Sequence, residues 1–559
     1  MKLSTINYQL PTTKFLCFSF FIFHFSFCIS FAMPPKPGIY DERGFSKITG
    51  QAMPKMPAWY DKPCPRNLLT TGKALFILVY FSDNDSSHSA SSFPSLFFAD
   101  SGSIKDYFSE VSYNSLSINP GSAPFKWYLM PKPYSYYVNN SSGLGSYPQN
   151  VLRLVEHAVA KADTDGTNFQ EYDNNGDGVV DWLFVVHAGP GAEETGSNKD
   201  IWSHMSSFSA NQLQPVQTND GVKVDAYIMG PEEHPNGNLA SIGVFCHEFG
   251  HLLGLPDLYN TNVQGGESVI GRFGLMDVGS WNCTDSMYPG NSPAHLCAWS
   301  KYFLGWFNPI ALERGGTREI IQAEIPLVEK FSTIYRLLEN PGGNDWNQLG
   351  TGSGEYFLVE NREQKGYDQA LPGSGLLIWH IDESRPTNND ATRRLVCLMQ
   401  ADGDPSTALK DYPYGKASDM WKSSIDGFSP SSIPNSSLYG GRPSGVMVKN
   451  ISADKDTMMA DLRVIPVSTA EVFSYPNPFR KTSEDDKVTI VYVPKQSSPG
   501  SSFQITIYTL AGEKVRTLEK NQTSWDGKND DGEEVASGVY FYIVESGKEK
   551  KRGKLTFIH

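Results

Sequence analysis

Two histidines and a glutamate near the middle of the sequence have the types and spacing that metal-assisted hydrolysis needs. The segment reads His247-Glu248-Phe249-Gly250-His251. In an α-helix, residues four apart lie on one face, so His247 and His251 can both direct an imidazole nitrogen at one Zn²⁺. Glu248 lies too close to be a third ligand, but it is well placed to act as general base on a zinc-bound water. The spacing therefore predicts a zinc hydrolase site.

A third ligand must come from the residues that follow, and the chain has to reverse direction to supply it. Gly254 can adopt the left-handed conformation that ends a helix, and Pro256 prevents the helix from resuming. The reversed chain can then bring Asp257 round to the metal. Glu267 lies close enough in the sequence to be a rival third ligand, and the sequence leaves that choice open.

An alternative interpretation of the motif is that both histidines are ordinary helix residues. A bare HExxH pattern occurs by chance. Here a glycine stands three positions after His251 and a carboxylate three positions beyond that glycine, inside an amphipathic segment. This longer pattern favours the metal site over the structural alternative.

Apolar patterning around the motif indicates the elements that would position it. Continuous apolar runs at 74–81 and 182–187 have strand length and predict strands buried on both faces. Helical spacing that follows Ser103 as N-cap, and again across 149–162, predicts two helices that cover this sheet. Asn238 is expected to cap the amphipathic helix that carries the motif through Leu253.

Further along the chain, the pattern changes from helical to strand-like. After Trp306, short apolar runs alternate with turn residues, and from about residue 466 the runs are spaced as in a β-sandwich. A chain of 559 residues is also too long for a single core. We therefore predict five segments: a signal peptide (1–32), a leader or pro-segment (33–70), a catalytic domain (71–306), a β-rich domain (307–466) and a C-terminal module (467–559).

A second metal site is suggested by an acidic loop before the second predicted strand. Oxygen ligands occur at alternate positions, as in the first half of a calcium loop, and Gly178 lies at the sharp turn. A strand rather than a helix follows, so the loop is not an EF-hand. The predicted calcium ligands are Asp173, Asn175, Asp177, Val179 and Asp181. A hydrophilic Asn/Gly turn without an ion is the alternative.

The N-terminus is typical of an exported protein. Lys2 and Lys14 precede an apolar run at 15–32 that ends in Ser30-Phe31-Ala32, which predicts a signal peptide cleaved after Ala32. A membrane anchor is the competing interpretation, because the run is barely long enough to span a bilayer. No other run qualifies as a transmembrane helix, so we expect no membrane span in the mature chain.

The five cysteines that remain after the predicted signal peptide show no paired spacing. They do not indicate a disulfide framework. Cys64, which lies between two prolines of the leader, could place a thiolate on zinc and keep a precursor latent. A lone loop cysteine with no such role is the simpler interpretation.

Charge argues against two classes of partner. The formal net charge is −14, and an acidic surface repels nucleic acid and anionic membranes. We therefore expect neither nucleic acid nor an anionic membrane as a partner; protein or peptide substrates are expected from the predicted zinc hydrolase site. No feature of the sequence indicates oligomerisation, so we expect a monomer.

Several segments resemble one known family. Arg272-Phe273-Gly274-Leu275-Met276 begins a stretch that resembles the methionine-containing turn below the metal of metzincin peptidases, although Met276 alone could be a core residue. Together with 102–118, 244–260, 293–306 and 355–368, this turn resembles the immune-inhibitor-A family of bacterial metallopeptidases over roughly residues 70–465.

The resemblance implies an α+β metzincin-like zinc peptidase domain followed by a β-rich region. It also implies an extracellular endopeptidase acting on proteins, with His247 and His251 as ligands and Glu248 as the catalytic residue. Asp257 matches the carboxylate of the family motif.

The last ninety or so residues have a resemblance of their own. Tyr475-Pro476-Asn477-Pro478-Phe479, the turn at 525–532 and the run at 536–540 resemble the immunoglobulin-like β-sandwich of flagellar hook-capping (FlgD-like) proteins and the C-terminal sorting domains of secreted bacterial enzymes. This implies contact with a secretion machinery or the cell surface, and no catalytic group.

The sequence thus predicts a secreted or cell-surface zinc endopeptidase. In the predicted mechanism, Glu248 takes a proton from the zinc-bound water and passes it to the leaving amine. The alternative is a catalytically inert surface adhesin on the same scaffold. Glu248 favours the enzyme, because an inert scaffold has no need of the base.

Overall fold

The computed structural model describes residues 33–38, 69–263, 266–340, 354–404, 409, 414–465, 471–475, 477–481, 486–493 and 502–558. The predicted signal peptide, the position of Cys64 and most of the predicted leader lie outside these residues. The described part is a mixed α/β protein with a β-rich C-terminal region.

The N-terminal unit contains the first eight strands and seven helices. The strands are β1 (Thr71–Tyr80), β2 (Ser117–Pro120), β3 (Trp127–Leu129), β4 (Leu183–Pro190), β5 (His204–Ser207), β6 (Val216–Gln217), β7 (Lys223–Val224) and β8 (Ala226–Glu233). The helices are α1 (Phe93–Phe98), α2 (Ile104–Val111), α3 (Tyr134–Val138), α4 (Val151–Thr164), α5 (Ala192–Thr195), α6 (Ile242–Leu252) and α7 (Ala298–Phe303).

One six-stranded sheet organises this unit. Its order is β2-β1-β4-β8-β5, and β3 pairs with β1 beyond the end of β2. The pairs β1–β2, β1–β3, β1–β4 and β4–β8 are parallel, whereas β5 runs antiparallel to β8 with His204 opposite Met229. The antiparallel strand β5 therefore forms one edge of the sheet.

Both faces of the sheet are buried, as the continuous apolar runs predict. Phe76 and Phe184 face a core that includes α1, α2 and α6, while Leu75 and Val185 face a second core against α3 and α4. Alternate side chains of a strand point to opposite faces, so an apolar run without polar interruptions fits a strand covered on both sides.

Two of the three predicted helix starts are confirmed. Ser103 Oγ accepts a hydrogen bond from the Asp106 amide at 3.1 Å, and α2 begins at the next residue, Ile104. The helix predicted across 149–162 runs from Val151 to Thr164.

The cap predicted for the third helix is wrong. Asn238 lies in a turn, and its carbonyl accepts a hydrogen bond from the His234 amide at 2.8 Å. Because that turn and a bridge between Glu233 and Leu239 follow β8, α6 begins only at Ile242, with Ser241 at the N-cap.

The middle region is built from two sheets. Its strands are β9 (Ile310–Leu312), β10 (Glu319–Pro326), β11 (Tyr335–Leu337), β12 (Glu355–Arg362), β13 (Gly375–Asp382), β14 (Val396–Leu398), β15 (Val446–Lys449) and β16 (Thr457–Val464). The sheet orders are β14-β13-β12-β11-β9 and β10-β16-β15. One apolar core runs from Phe249 of α6 to Leu358 and Trp379 of this region. The predicted division near residue 306 stays a prediction, and the core is continuous across it.

The C-terminal strands form two further sheets around a separate core. They are β17 (Glu471–Tyr475), β18 (Phe479–Arg480), β19 (Val488–Val493), β20 (Gln504–Thr509), β21 (Lys514–Thr517), β22 (Ser524–Trp525), β23 (Gly538–Ser546) and β24 (Glu549–Ile558). The orders are β17-β19-β22 and β18-β24-β23-β20-β21. Trp525 is fully buried among residues of both sheets.

Two expectations from the sequence concern the whole chain. Within the described ranges, no helix has the length and apolar character that crossing a membrane requires. Among the described residues, Cys246, Cys283, Cys297 and Cys397 form no disulfide bonds.

Candidate metal centre

The two histidines and the third predicted ligand converge on one point inside the protein. His247 Nε2 and His251 Nε2 are 3.1 Å apart. Asp257 Oδ1 lies 3.2 Å from the first and 3.3 Å from the second. All three residues are buried. Among the described residues, His247, His251 and Asp257 form the group of His, Cys, Asp or Glu side chains whose ligand atoms lie close enough together to hold one metal ion.

Backbone carbonyls fix the orientation of both rings. His247 Nδ1 donates to the carbonyl of Leu275 at 2.9 Å, and His251 Nδ1 donates to the carbonyl of Leu255 at 2.8 Å. Each ring therefore carries its proton on Nδ1 and directs the Nε2 lone pair at the shared point. Burial lowers the pKa of His251, with a further contribution from the neighbouring His247, and this favours the neutral form that binds metal.

The separations between these atoms fit zinc. Ligand atoms about 2.0–2.1 Å from Zn²⁺ and at tetrahedral angles are about 3.3–3.4 Å apart. The observed distances of 3.1, 3.2 and 3.3 Å are close to that value. Two neutral imidazoles and one carboxylate are also a donor set that zinc accepts in open, three-ligand sites.

Glu248 lies beside this point as a buried carboxyl group. Neither of its oxygens makes a hydrogen bond of good geometry within the part of the chain described here. Burial raises its pKa well above the usual range, and the charges of Asp257 and Glu193 raise it further, while the amides of Met33 and Met205 act in the opposite direction. A carboxyl group in this setting is suited to accept and release a proton.

The turn after the motif helix places Asp257 and leaves Glu267 elsewhere. The helix ends at Leu252, and Gly254 adopts a φ of 99°, as predicted. Glu267 pairs with Arg394 Nη2 at 2.9 Å and accepts from Asn260 Nδ2 at 3.0 Å. The structure thus brings Asp257, and not its rival, to the two histidines.

The predicted methionine turn lies directly below the motif helix. A Cβ on Gly250 would lie 2.7 Å from Met276 Sδ, so the helix and the turn are in close contact at this glycine. The Leu275 carbonyl orients His247, and the Met276 carbonyl accepts from the Leu258 amide at 2.8 Å. One turn therefore supports a ligand ring and the segment that carries Asp257.

Comparison with known proteins matches this part of the chain to a family model. Residues 89–307 match the model for the immune inhibitor A peptidase M6 catalytic domain. The matched region is thus similar to a peptidase M6 catalytic domain. It contains the motif helix, the turn at Met276 and all three converging side chains.

Two curated relatives each match about a third of this chain. The sequence is 30% identical over 220 residues to pre-pro-metalloprotease PrtV of Vibrio cholerae, which covers 36% of this chain and 23% of that protein. It is 30% identical over 225 residues to Immune inhibitor A of Bacillus thuringiensis subsp. alesti, covering 36% of this chain and 31% of the relative. This chain therefore spans less than a third of the length of either relative.

The C-terminal part has a match of its own. Residues 475–559 match the model of a type IX secretion signal domain. The predicted sorting module is confirmed by this match, and so is the prediction of a secreted or cell-surface protein. Among solved structures, latent PorU of Porphyromonas gingivalis is 21% identical over 22% of this chain and 13% of its own, with a TM-score of 0.13.

The loop that is predicted to bind calcium is closed by hydrogen bonds among its own residues. Asp173 Oδ1 accepts from the amides of Gly176 and Asp177 at 2.8 and 3.0 Å, and Asp177 Oδ1 accepts from the Val179 amide at 2.9 Å. Asn175 Nδ2 donates to Asp181 Oδ1 at 3.3 Å. These bonds show an Asx-rich turn that is held by its own backbone amides. Calcium binding at this loop stays a prediction.

Two residues that position the metal centre were not predicted from the sequence. The Tyr259 hydroxyl hydrogen-bonds to Asp257. Asp277, fully buried, accepts from the amides of Val269 and Val278 at 2.8 and 2.7 Å and so ties down the methionine turn. Burial raises the Asp277 pKa to about 6. The sequence signals for these roles are the position of Asp277 directly after Met276 and the position of Tyr259 two residues after Asp257.

A third feature that the sequence did not predict is the position of residues 33–38. This part of the predicted leader lies over the centre, with Met33 fully buried beside the motif helix. Cys64, the leader cysteine that could bind zinc and keep a precursor latent, lies outside the described residues.

Proposed function

We propose that the chain is a secreted or cell-surface zinc endopeptidase that hydrolyses peptide bonds in proteins. The observation that carries this proposal is the convergence of His247, His251 and Asp257 at separations of 3.1–3.3 Å beside the buried carboxyl of Glu248. The match of residues 89–307 to the peptidase M6 domain supports it, as do relatives named as a metalloprotease and as immune inhibitor A.

The three converging side chains would hold Zn²⁺, with His247, His251 and Asp257 as ligands. Zinc, when bound, polarises the carbonyl of the scissile bond and lowers the pKa of a water molecule. Glu248 would accept the proton of the attacking water on a carboxylate oxygen and pass it to the leaving amine.

We further propose that the catalytic domain is metzincin-like. The helix with the motif, the left-handed turn at Gly254 and the methionine beneath Gly250 support this assignment. The edge position of β5 supports it too, because an extended substrate can add to the free edge of a sheet through backbone hydrogen bonds. An immunoglobulin-like fold of the C-terminal module is proposed on its two sheets around one core.

The decisive experiment measures cleavage of unfolded casein by the purified full chain, with and without a zinc chelator. We expect chelation to abolish cleavage and added Zn²⁺ to restore it. Glu248→Gln is expected to bind zinc as the wild type does and to cleave at least about 10²–10⁴-fold more slowly, because general acid–base catalysis contributes on that order. Zinc content is measured on both proteins by mass spectrometry.

The same experiment separates the enzyme from the inert adhesin. If the untreated chain is inactive, cleavage is measured again after limited proteolysis of the leader. Persistent inactivity with one zinc bound per chain would favour the adhesin. An active Glu248→Gln protein would remove Glu248 from the mechanism, and a wild type that binds no zinc would contradict the site itself.

A further inference from the structure

The segment of residues 33–38 is held across the centre mainly through its backbone. Trp202 Nε1 donates to the Met33 carbonyl at 3.0 Å, and Trp281 Nε1 donates to the Pro34 carbonyl at 2.9 Å. The Lys36 amide donates to the Glu193 carbonyl at 2.9 Å. Such bonds do not depend on the side chains of the segment, and peptidases need this kind of contact to hold varied sequences.

The prolines of this segment suit an extended bound form. Pro34 and Pro35 have restricted φ angles and no amide proton, so the segment loses little entropy on binding and leaves no buried donor unsatisfied there. The segment therefore binds as an extended chain that is already close to its bound shape.

The side chain of Met33 fills an apolar pocket beside the metal ligands. It is fully buried and packs against Val244, Val278 and Trp281. Val244 is three residues before His247 on α6, so the two side chains lie on the same side of the helix. The pocket therefore lies next to the proposed catalytic centre, and it suits a bulky apolar residue.

Three residues further on, the segment makes an ionic contact. Lys36 Nζ lies 2.5 Å from Glu194 Oε2, and the Glu194 side chain is only 5% exposed. The other carboxylate oxygen, Oε1, accepts from His234 Nδ1 at 2.7 Å, and His234 Nε2 bonds to Ser241 Oγ at 3.0 Å. A buried and oriented carboxylate thus meets a cation that the leader supplies.

Departure of the segment would leave this carboxylate without the cation of Lys36. A buried charge is costly unless a partner of opposite charge replaces the one that left. Lysine and arginine of a bound chain are the side chains that could do so, whereas an acidic residue would be repelled.

We propose that Glu194 determines substrate specificity by binding a lysine or arginine of the substrate, three residues away from an apolar residue in the pocket of Val244, Val278 and Trp281. Residues 33–38 occupy these two subsites as an internal occupant of the groove. This inference rests on the proposed peptidase function. It identifies the preferred substrates as proteins with a bulky apolar residue and a basic residue at that spacing.

The test begins with the cleavage profile of the full chain on a peptide library, measured after leader proteolysis if needed. We expect lysine and arginine to be enriched at one position three residues from an enriched Met, Leu or Phe. Two fluorogenic peptides that differ only by lysine or glutamine at that position should differ about 10–100-fold in kcat/KM, as for a charge-assisted contact.

Variants of Glu194 then assign the preference to this carboxylate. Glu194→Gln should reduce the lysine-to-glutamine ratio to below about 3-fold, and Glu194→Lys should favour a glutamate peptide. Glu156→Gln is the matched control, because Glu156 makes an ion pair with Arg153 at 2.8 Å on α4. That control should keep the wild-type ratio.

The outcomes separate this inference from the proposed function. Chelator-sensitive cleavage of casein without any basic preference would overturn the specificity assignment and leave the peptidase intact. A basic preference that persists in Glu194→Gln would also overturn it. If the variants do not fold, the wild-type profile decides the matter, and a wild type that is inactive with zinc bound overturns both proposals.

Discussion

Two of the buried clusters of ionisable side chains among the described residues differ in what completes them. In the cluster around Arg362, the guanidinium donates from Nε and Nη2 to the two oxygens of Asp368 at 2.5 and 2.6 Å and from Nη1 to Glu360 at 3.2 Å. The His295 amide donates to Asp368 at 2.9 Å. In the metal centre, two imidazole nitrogens and a carboxylate oxygen face one another instead.

The two clusters have different roles in the protein. The Arg362 cluster pairs donors with acceptors and joins β12 to the segment before α7, so opposite charges within the chain stabilise one another. The metal centre brings lone pairs together, an arrangement that an added cation would stabilise. We therefore expect the first cluster to govern folding and the second to govern binding and catalysis.

The largest effect on stability is expected from Asp368→Asn. Removing this charge leaves Arg362 buried with less compensation, and breaking a buried pair of this kind costs about 3–5 kcal/mol. Urea unfolding followed by tryptophan fluorescence measures the loss. Asp257→Asn, measured without metal, is the matched comparison and should change the unfolding free energy by less than about 1 kcal/mol. Equal losses in the two variants would erase the distinction between the clusters.

Added zinc should act on the second cluster alone. At a free concentration 100 times its Kd, a ligand that binds only the folded state stabilises it by about 2.7 kcal/mol. For a domain of about 150–250 residues, such as the catalytic domain, this stabilisation should raise the melting temperature by roughly 5–10 °C. Asp368→Asn should keep this response, and Asp257→Asn should lose most of it. A full zinc response in Asp257→Asn would remove Asp257 from the ligand set.

Acid should reduce the advantage of the wild type over Asp368→Asn. Burial by itself would raise the pKa of Asp368, but Arg362 and His295 hold it well below the usual range. The stabilisation is therefore complete above the unfolded pKa of about 3.9 and is lost as pH falls from there toward the folded pKa. The difference in unfolding free energy should shrink by up to about 1.4 kcal/mol per pH unit in that window. A difference that stays constant down to pH 2 would contradict this.

The smallest effect is expected at the glycine that ends the motif helix. Gly254 has a φ of 99° and Gly166 a φ of 89°, so alanine at either position should cost about 1 kcal/mol of stability. Gly166 lies at the end of α4, away from the centre, and serves as the control. Only Gly254→Ala should also weaken zinc binding, measured by calorimetry, because its strain is transmitted to the segment that carries Asp257. Equal zinc affinities in the two variants would show that the turn does not position the ligand.

Local patterns predicted most of the elements around the centre. The runs at 74–81 and 182–187 became β1 and β4, and the capped segment after Ser103 became α2. These features depend on neighbours a few residues apart. The start of α6 was misplaced because Asn238 has the properties of a cap, and the turn that uses this residue depends on the end of β8.

Contacts between distant parts of the chain could not be predicted in the same way. Lys36 meets Glu194 across 158 positions, and Arg362 donates to the carbonyl of Phe273 across 89 positions. Nothing in either local sequence specifies such a partner. The role proposed here for Glu194 therefore appeared only when the fold placed residues 33–38 beside it.

Spacing and backbone conformation within a few residues place His247 and His251 on one helix face and end the helix just before Gly254. Only the tertiary structure decided between the two carboxylates that could follow. Arg394 lies 127 positions after Glu267 and binds its carboxylate, while the turn supported by Met276 brings Asp257 to the histidines. A pairing between residues so far apart is set by the packing of the whole domain, which no local pattern records.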